Sequence, residues 1–61
     1  MYSDFEEYLE AVKQRRDEDG YDYTDADLEK YRYYFEDCWK SNLSVYKSLE
    51  FLWFEINGLA L

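Results

Sequence analysis

The chain has 61 residues, a net charge of −8 from 7 basic and 15 acidic side chains, one Cys and no His. So short a chain forms one domain at most and buries only about 60% of the surface that its unfolded form exposes, which is marginal for a lone core. A single Cys excludes an intrachain disulfide and the missing His makes a structural zinc site implausible, so oligomerisation is the remaining route to added stability.

Aromatic side chains are unusually abundant, as eight Tyr, four Phe and two Trp. They make up 23% of the residues, far more than a disordered chain carries. Each ring can bury about 150–250 Å², so we expect the chain to fold around them.

The first predicted element is an amphipathic helix over residues 4–16. Ser3 followed three positions later by Glu6 is a capping-box pattern. Acidic side chains cluster at the start of this segment and basic ones near its end, which suits the helix macrodipole. The apolar residues fall at helical spacing and are Phe5, Tyr8, Leu9 and Val12.

A turn and a long helix are predicted next. Residues 17–23 combine Gly20 with several aspartates and have no helical period, which is typical of a turn, and Thr24 begins a second capping box. Steps of three and four then connect Leu28, Tyr31, Phe35, Cys38, Asn42, Val45, Leu49, Leu52, Ile56 and Leu59. This repeat never changes phase, so it predicts one helix over residues 25–57 that ends before Gly58.

A competing interpretation breaks the long helix at residues 40–44, Lys-Ser-Asn-Leu-Ser. Two serines and an asparagine are poor helix formers and good caps, and a break here gives a monomeric three-helix bundle. A real turn usually resets the helical phase, whereas this repeat keeps it. The pattern therefore favours an all-α helical hairpin, with a short first helix and a long second one.

The unequal helix lengths predict a homodimer. At 1.5 Å per residue the first helix is about 20 Å long and the second about 50 Å, so much of the apolar second helix would be bare. A second copy is the simplest cover, and it gives a homodimeric helical bundle. A buried Asn42 would fix its register, so that Asn42→Val would stabilise the dimer or blur its oligomeric state. The predicted dimer seam comprises Asn42, Val45, Tyr46, Leu49, Leu52, Trp53 and Ile56.

Charge is distributed unevenly along the chain. Residues 1–29 hold 11 acids and 3 bases (net −8), and residues 30–61 hold 4 acids and 4 bases (net 0). A run of carboxylates can imitate the phosphates of a nucleic acid, or it can simply keep an aromatic-rich chain soluble. The candidate partner surface combines such acids with two aromatic residues outside the predicted seam, and comprises Glu6, Glu7, Glu10, Asp17, Asp19, Asp22, Tyr33 and Phe54.

Several functional classes are disfavoured. Direct nucleic-acid binding is not expected, because a net negative chain repels phosphates. Asp17, Asp19 and Gly20 fit part of an EF-hand loop, but its first and twelfth positions would be Arg15 and Ala26. The sequence has no phosphate-binding loop, nucleophile elbow or Cys/His pair, so we predict no enzyme activity, cofactor or metal site.

The expected location is the cytoplasm. The N-terminal residues lack the basic and apolar stretches of a signal peptide. The most apolar run, residues 49–61, contains Glu50 and Glu55 and is shorter than the roughly 20 residues that a membrane span needs. We therefore predict no membrane association.

Two segments resemble a known family. Residues 3–10, Ser-Asp-Phe-Glu-Glu-Tyr-Leu-Glu, and residues 31–39, Tyr-Arg-Tyr-Tyr-Phe-Glu-Asp-Cys-Trp, lie in a short acidic helical chain. Together they resemble the small early proteins of the exo–xis region of lambdoid bacteriophages. The resemblance implies a non-enzymatic early phage factor that acts through protein contacts in the host cytoplasm and affects host physiology or the choice between lysis and lysogeny.

The sequence therefore predicts a small regulatory protein that dimerises and binds an unidentified host protein. The alternative is an acidic DNA mimic that inhibits a nucleic-acid-binding protein. Salt separates the two, because the binding of a mimic weakens steeply with ionic strength whereas docking through aromatic side chains responds little.

Overall fold

Capping residues set the helix boundaries of this chain. The computed structural model describes residues 2–58, and in this range it consists of four helices, α1 (Phe5–Asp19), α2 (Asp25–Lys30), α3 (Arg32–Lys40) and α4 (Val45–Asn57). The predicted all-α class is thereby confirmed. The described residues contain no strand.

Helix α1 begins one residue later than its predicted capping box. The backbone N–H of Glu7 donates to the Asp4 carboxylate at 2.9 Å, so Asp4 and not Ser3 is the N-cap. The N–H of Ser3 donates in turn to the Glu7 carboxylate at 2.9 Å. At the far end Gly20 takes the left-handed conformation with φ 75°, and the helix therefore runs to Asp19 rather than to residue 16.

Helices α2 and α3 are two parts of one kinked segment. The capping box of Thr24 and Asp27 forms as predicted, with hydrogen bonds of 3.0 and 3.1 Å. The kink lies at Tyr31, whose φ of −101° and ψ of 25° depart from helical values. The N–H of Tyr31 still donates to the Asp27 carbonyl and the N–H of Phe35 to the Tyr31 carbonyl, so hydrogen bonding continues across the kink.

The prediction of one helix over residues 25–57 is wrong, because the chain turns between α3 and α4. Asn42 has φ 64°, and its N–H donates to the Trp39 carbonyl at 3.1 Å. The N–H of Leu43 donates to the Cys38 carbonyl at 2.9 Å. These two bonds form a Schellman motif, whose left-handed position Asn tolerates better than most residues other than Gly.

The turn lies where the three-helix alternative placed its break. Ser44 caps α4 by accepting a hydrogen bond from the N–H of Lys47 at 3.2 Å. The largest dimension of the molecule is 33 Å, well short of the roughly 50 Å that a continuous helix would need. Helix α4 ends before Gly58 as predicted, and Leu59 lies outside the described residues.

The hydrophobic core lies where α1 packs against α3 and α4. The predicted apolar face of α1 is buried there. The radius of gyration is 10.8 Å, close to the roughly 10.5 Å of a compact domain of this length. One chain therefore covers part of the apolar surface that the long-helix prediction left bare, namely Val45, Leu49 and Leu52. The core side chains are Phe5, Tyr8, Leu9, Val12, Leu28, Phe35, Cys38, Val45, Leu49 and Leu52.

This packing places part of the predicted dimer seam in the chain's own core. Three of its members, Val45, Leu49 and Leu52, are buried within a single chain. Asn42 is exposed in the turn rather than buried at a helix interface. The other members lie on α4, with Trp53 half-buried and Tyr46 and Ile56 exposed. A Leu52→Asp substitution would therefore disrupt the chain's own core, with or without a second copy.

Replacement of Asn42 tests the turn. We expect Asn42→Val to lower the free energy of unfolding by about 1–2 kcal/mol, because a β-branched residue is strained at positive φ. The control Asn42→Gly should change it by less than about 0.5 kcal/mol, because Gly adopts this conformation freely. Urea denaturation followed by circular dichroism measures both. A stabilised Asn42→Val protein would contradict the turn and restore the continuous helix.

Candidate functional site

The side of α4 that faces away from the core carries large apolar side chains. Phe51 and Phe54 lie one turn apart on this side, opposite the buried Leu49. Phe51 is 48% exposed and Phe54 is 37% exposed. Lys47 lies one turn before Phe51, and Glu55 follows Phe54. We name Lys47, Phe51, Phe54 and Glu55 the outer strip of α4.

Neighbouring side chains hold the rings of the outer strip in place. Trp53 meets Phe54 edge to face, with ring centroids 5.5 Å apart. The ammonium group of Lys47 lies 5.8 Å from the centroid of the Phe51 ring, and its Nζ is 3.4 Å from the Glu50 carboxylate. Aromatic side chains with fixed positions lose little conformational freedom on binding, and such residues dominate the energetics of protein interfaces.

An apolar groove of about 540 Å³ adjoins the outer strip. Its volume and aromatic walls are suited to an inserted side chain from another molecule. Ile56, at one edge of the groove, is 44% exposed. The lining residues are Tyr31, Tyr34, Phe51, Leu52, Glu55 and Ile56.

Tyr34 fixes the wall of this groove. Its hydroxyl donates a hydrogen bond of 2.6 Å to the backbone carbonyl of Ser48 and so joins α3 to α4. Burial raises the pKa of the Tyr34 phenol well above its usual value. Burial also raises the pKa of the nearby Cys38 thiol, so both groups stay protonated in neutral solution. Cys38 is a buried free thiol and behaves as a small apolar side chain.

The acidic members of the predicted partner surface are all exposed. Several of them are nevertheless ion-paired within the chain. Glu6 and Glu10 pair with Arg32 and Lys13 respectively. Asp17 pairs with Arg16 and Asp19 with Arg15, each at 2.9 Å.

Two more carboxylates of this region have local roles. A hydrogen bond from the Ser3 hydroxyl lowers the pKa of Glu7, which completes the cap of α1. A hydrogen bond of 2.6 Å from Arg16 lowers the pKa of Asp25, which links α1 to α2. Part of the negative charge therefore stabilises the fold through contacts within the chain and is less available to a binding partner.

An open groove of about 840 Å³ runs along the exposed side of α1. Most of its charged lining is acidic, and Lys13 and Arg16 supply the positive charge there. Because the groove is shallow and its lining is charged, it suits a charged surface better than a small apolar ligand. Its acidic lining residues are Asp4, Glu6, Glu7, Glu10, Asp17 and Asp25.

The sequence pattern identified part of the exposed aromatic surface. The predicted members Tyr33 and Phe54 are exposed, Tyr33 by 81%. Phe51 was not among the predicted surface residues, although its spacing from Phe54 is that of helical neighbours on one face. The groove could not be predicted, because it needs the kink at Tyr31 and the turn at Asn42, which bring Tyr31 and Tyr34 beside α4.

The described residues, 2–58, show no group of three or more His, Cys, Asp or Glu side chains arranged to hold a metal ion. None of the helices in this part of the chain has the length and apolar character needed to cross a membrane. Comparison of the chain with protein-family models, curated proteins and solved structures finds no match.

Two buried tyrosine hydroxyls provide a matched test of the groove wall. We expect Tyr34→Phe to lower the free energy of unfolding by about 1 kcal/mol, because it removes the bond to Ser48. Tyr23→Phe should leave stability unchanged or raise it by about 1 kcal/mol, because the Tyr23 hydroxyl is buried without a hydrogen-bond partner among the described residues. Urea denaturation compares the two. Equal losses of unfolding free energy in the two variants would show that the hydrogen bond from Tyr34 to Ser48 makes no specific contribution to stability.

Proposed function

We propose that this chain is a non-enzymatic regulatory protein that acts by binding other protein chains, with the outer strip of α4 as its main contact surface. The observation that supports this function is the pair of exposed rings, Phe51 and Phe54, beside an apolar groove. Exposed apolar patches of this kind are typical of interaction sites, and aromatic residues are enriched at the centres of protein interfaces.

The core does not explain these rings. Val45, Leu49 and Leu52 already fill the inner side of α4, and the same helix has polar side chains elsewhere on its exposed surface. A polar residue at position 51 or 54 would cost the core little and would reduce the risk of aggregation. A contact surface accounts for the aromatic residues at both positions.

The resemblance to small early phage proteins supports a bacterial protein as the regulated target and the host cytoplasm as the place of action. In this role the chain would alter host physiology or the choice between lysis and lysogeny by occupying a surface of its target. The helices serve to hold that surface, and the proposed activity requires no catalytic group or cofactor.

Photocrosslinking in bacterial cells tests the contact surface. A photoreactive phenylalanine analogue at position 51 or 54 should form covalent adducts with a protein chain, which mass spectrometry identifies. The same analogue at position 33 is the control, because Tyr33 is even more exposed but lies outside the outer strip. Adducts of equal yield at position 33, or none at 51 and 54, would contradict the proposal.

A DNA mimic is the second candidate function, and the acidic groove along α1 supports it. Carboxylates of Asp4, Glu7 and Glu10 lie there on successive turns, as phosphates do along a strand. The ion pairs of Glu6, Glu10 and Asp17 reduce the charge that such a mimic could offer.

Competition with DNA tests the mimic. Host proteins retained on the immobilised chain should be released by double-stranded DNA and by a moderate rise in salt. Glu7→Gln combined with Glu10→Gln should weaken retention, whereas Glu36→Gln combined with Asp37→Asn, which removes equal charge on α3, should not. Retention that DNA does not reverse would rule the mimic out.

A further inference from the structure

We propose that the outer strip of α4 binds the outer strip of a second copy of this chain, with the two α4 helices antiparallel about a two-fold axis. This inference rests on the proposed function, since it names the occupant of the same surface. It uses a different face from the predicted seam, whose members Val45, Leu49 and Leu52 are buried in the core.

The charges of the outer strip are complementary to those of a second, antiparallel copy of the same strip. Lys47 lies near the start of α4 and Glu55 near its end, with Phe51 and Phe54 between them. An axis that passes midway between Phe51 and Phe54 sets Lys47 opposite Gly58 of the second copy. Glu55 of that copy is then three residues away along the helix, about 4.5 Å, which a lysine side chain spans. The symmetry generates this ion pair twice.

Parallel pairing has the opposite electrostatics. It would set Lys47 against Lys47 and Glu55 against Glu55, so that both ends of the strip repel. The distribution of charge along α4 thus selects the antiparallel arrangement.

The apolar side chains fit the same arrangement. Phe51 of each copy faces Phe54 of the other, and the two rings form the centre of the contact. The adjoining groove, bordered by Tyr31, Tyr34 and Ile56, offers about 540 Å³ beside this centre for a ring of the second copy. Stacked or edge-to-face aromatic pairs are favourable beyond the area that they bury.

The net charge of the chain does not prevent this association. The excess of acids belongs to residues 1–29, and residues 30–61 have a net charge of 0. Helix α1 packs on the inner side of α4, so the acidic surface lies on the far side of each copy from the contact. At 0.15 M salt, repulsion between exposed charges is screened beyond about 8 Å.

The size of the strip sets the strength of the dimer. A helix of 13 residues is about 20 Å long, so one face and its groove bury less than the roughly 800 Å² per partner of a standard interface. We therefore expect a reversible dimer that dissociates on dilution.

Sedimentation equilibrium should give twice the 7.6 kDa chain mass near millimolar concentration and the chain mass near micromolar concentration.

Charge exchange tests the antiparallel ion pairs. Lys47→Glu and Glu55→Lys should each raise the dimer dissociation constant about tenfold, because each makes both ends of the strip repulsive. An equimolar mixture of the two variants should regain the wild-type constant, since each hetero-pair sets opposite charges together at both ends. Loss of the intrachain contact between Lys47 and Glu50 cannot be repaired by mixing, so this recovery is specific to the proposed contact.

Matched controls change the same charge away from the strip. Lys40→Glu and Glu18→Lys are exposed on α3 and α1 and should leave the dissociation constant within about threefold of wild type. Phe54→Ser should abolish the dimer while circular dichroism and the thermal midpoint show an intact fold.

A wild-type chain that is monomeric at every concentration overturns the inference, as does a dimer that survives Phe54→Ser or a mixture that fails to recover. Monomeric protein that still crosslinks to a different protein from position 51 refutes the second copy and keeps the proposed function. Monomeric protein without crosslinks refutes both.

Discussion

The left-handed backbone at Asn42 is the constraint on which the rest of the structure depends. With φ at 64°, this residue ends α3 and sends the chain back, so that α4 returns along α1. The hydrogen bonds of the turn satisfy carbonyls that the end of α3 leaves free, and Ser44 satisfies the first N–H groups of α4. Without this reversal, Val45, Leu49 and Leu52 would have nothing in the same chain to pack against.

Helix α4 has two apolar sides, and only one of them faces the core. Its inner side joins Phe35 and Leu9 in the core, as in any amphipathic helix of a small domain. Its outer side adds Phe51 and Phe54, which the single chain leaves exposed. A chain of this size has few residues to spare, so an exposed aromatic pair on a core helix is an unfavourable feature for an isolated chain, and the proposed contact surface accounts for it.

Local sequence rules predicted much of this fold, but they did not settle whether residues 25–57 form one helix, because that depends on tertiary packing. The capping box at Thr24, the buried face of α1 and the end of α4 before Gly58 all follow from neighbouring residues. The break at residues 40–44 had local signals too, two serines and an asparagine, but the apolar repeat keeps its phase through the turn by coincidence of spacing and favoured one continuous helix. Tertiary burial of α4 against α1 outweighs the continuity of that pattern. The aromatic pair was partly visible in the sequence, whereas the groove depends on helix placement that no single segment encodes.

Because the acidic residues and the apolar surface lie on different parts of the chain, the electrostatic field of the molecule is uneven. Its negative end is formed by the segment up to residue 29, and its neutral end by the segment that contains α4. Near a positively charged surface, a torque turns the molecule before any side chains touch, with α1 leading. The aromatic side of α4 would then point away from that surface and stay free to pair with a second copy. Orientation in the electrostatic field would thus let the acidic end and the aromatic side of α4 make their contacts at the same time.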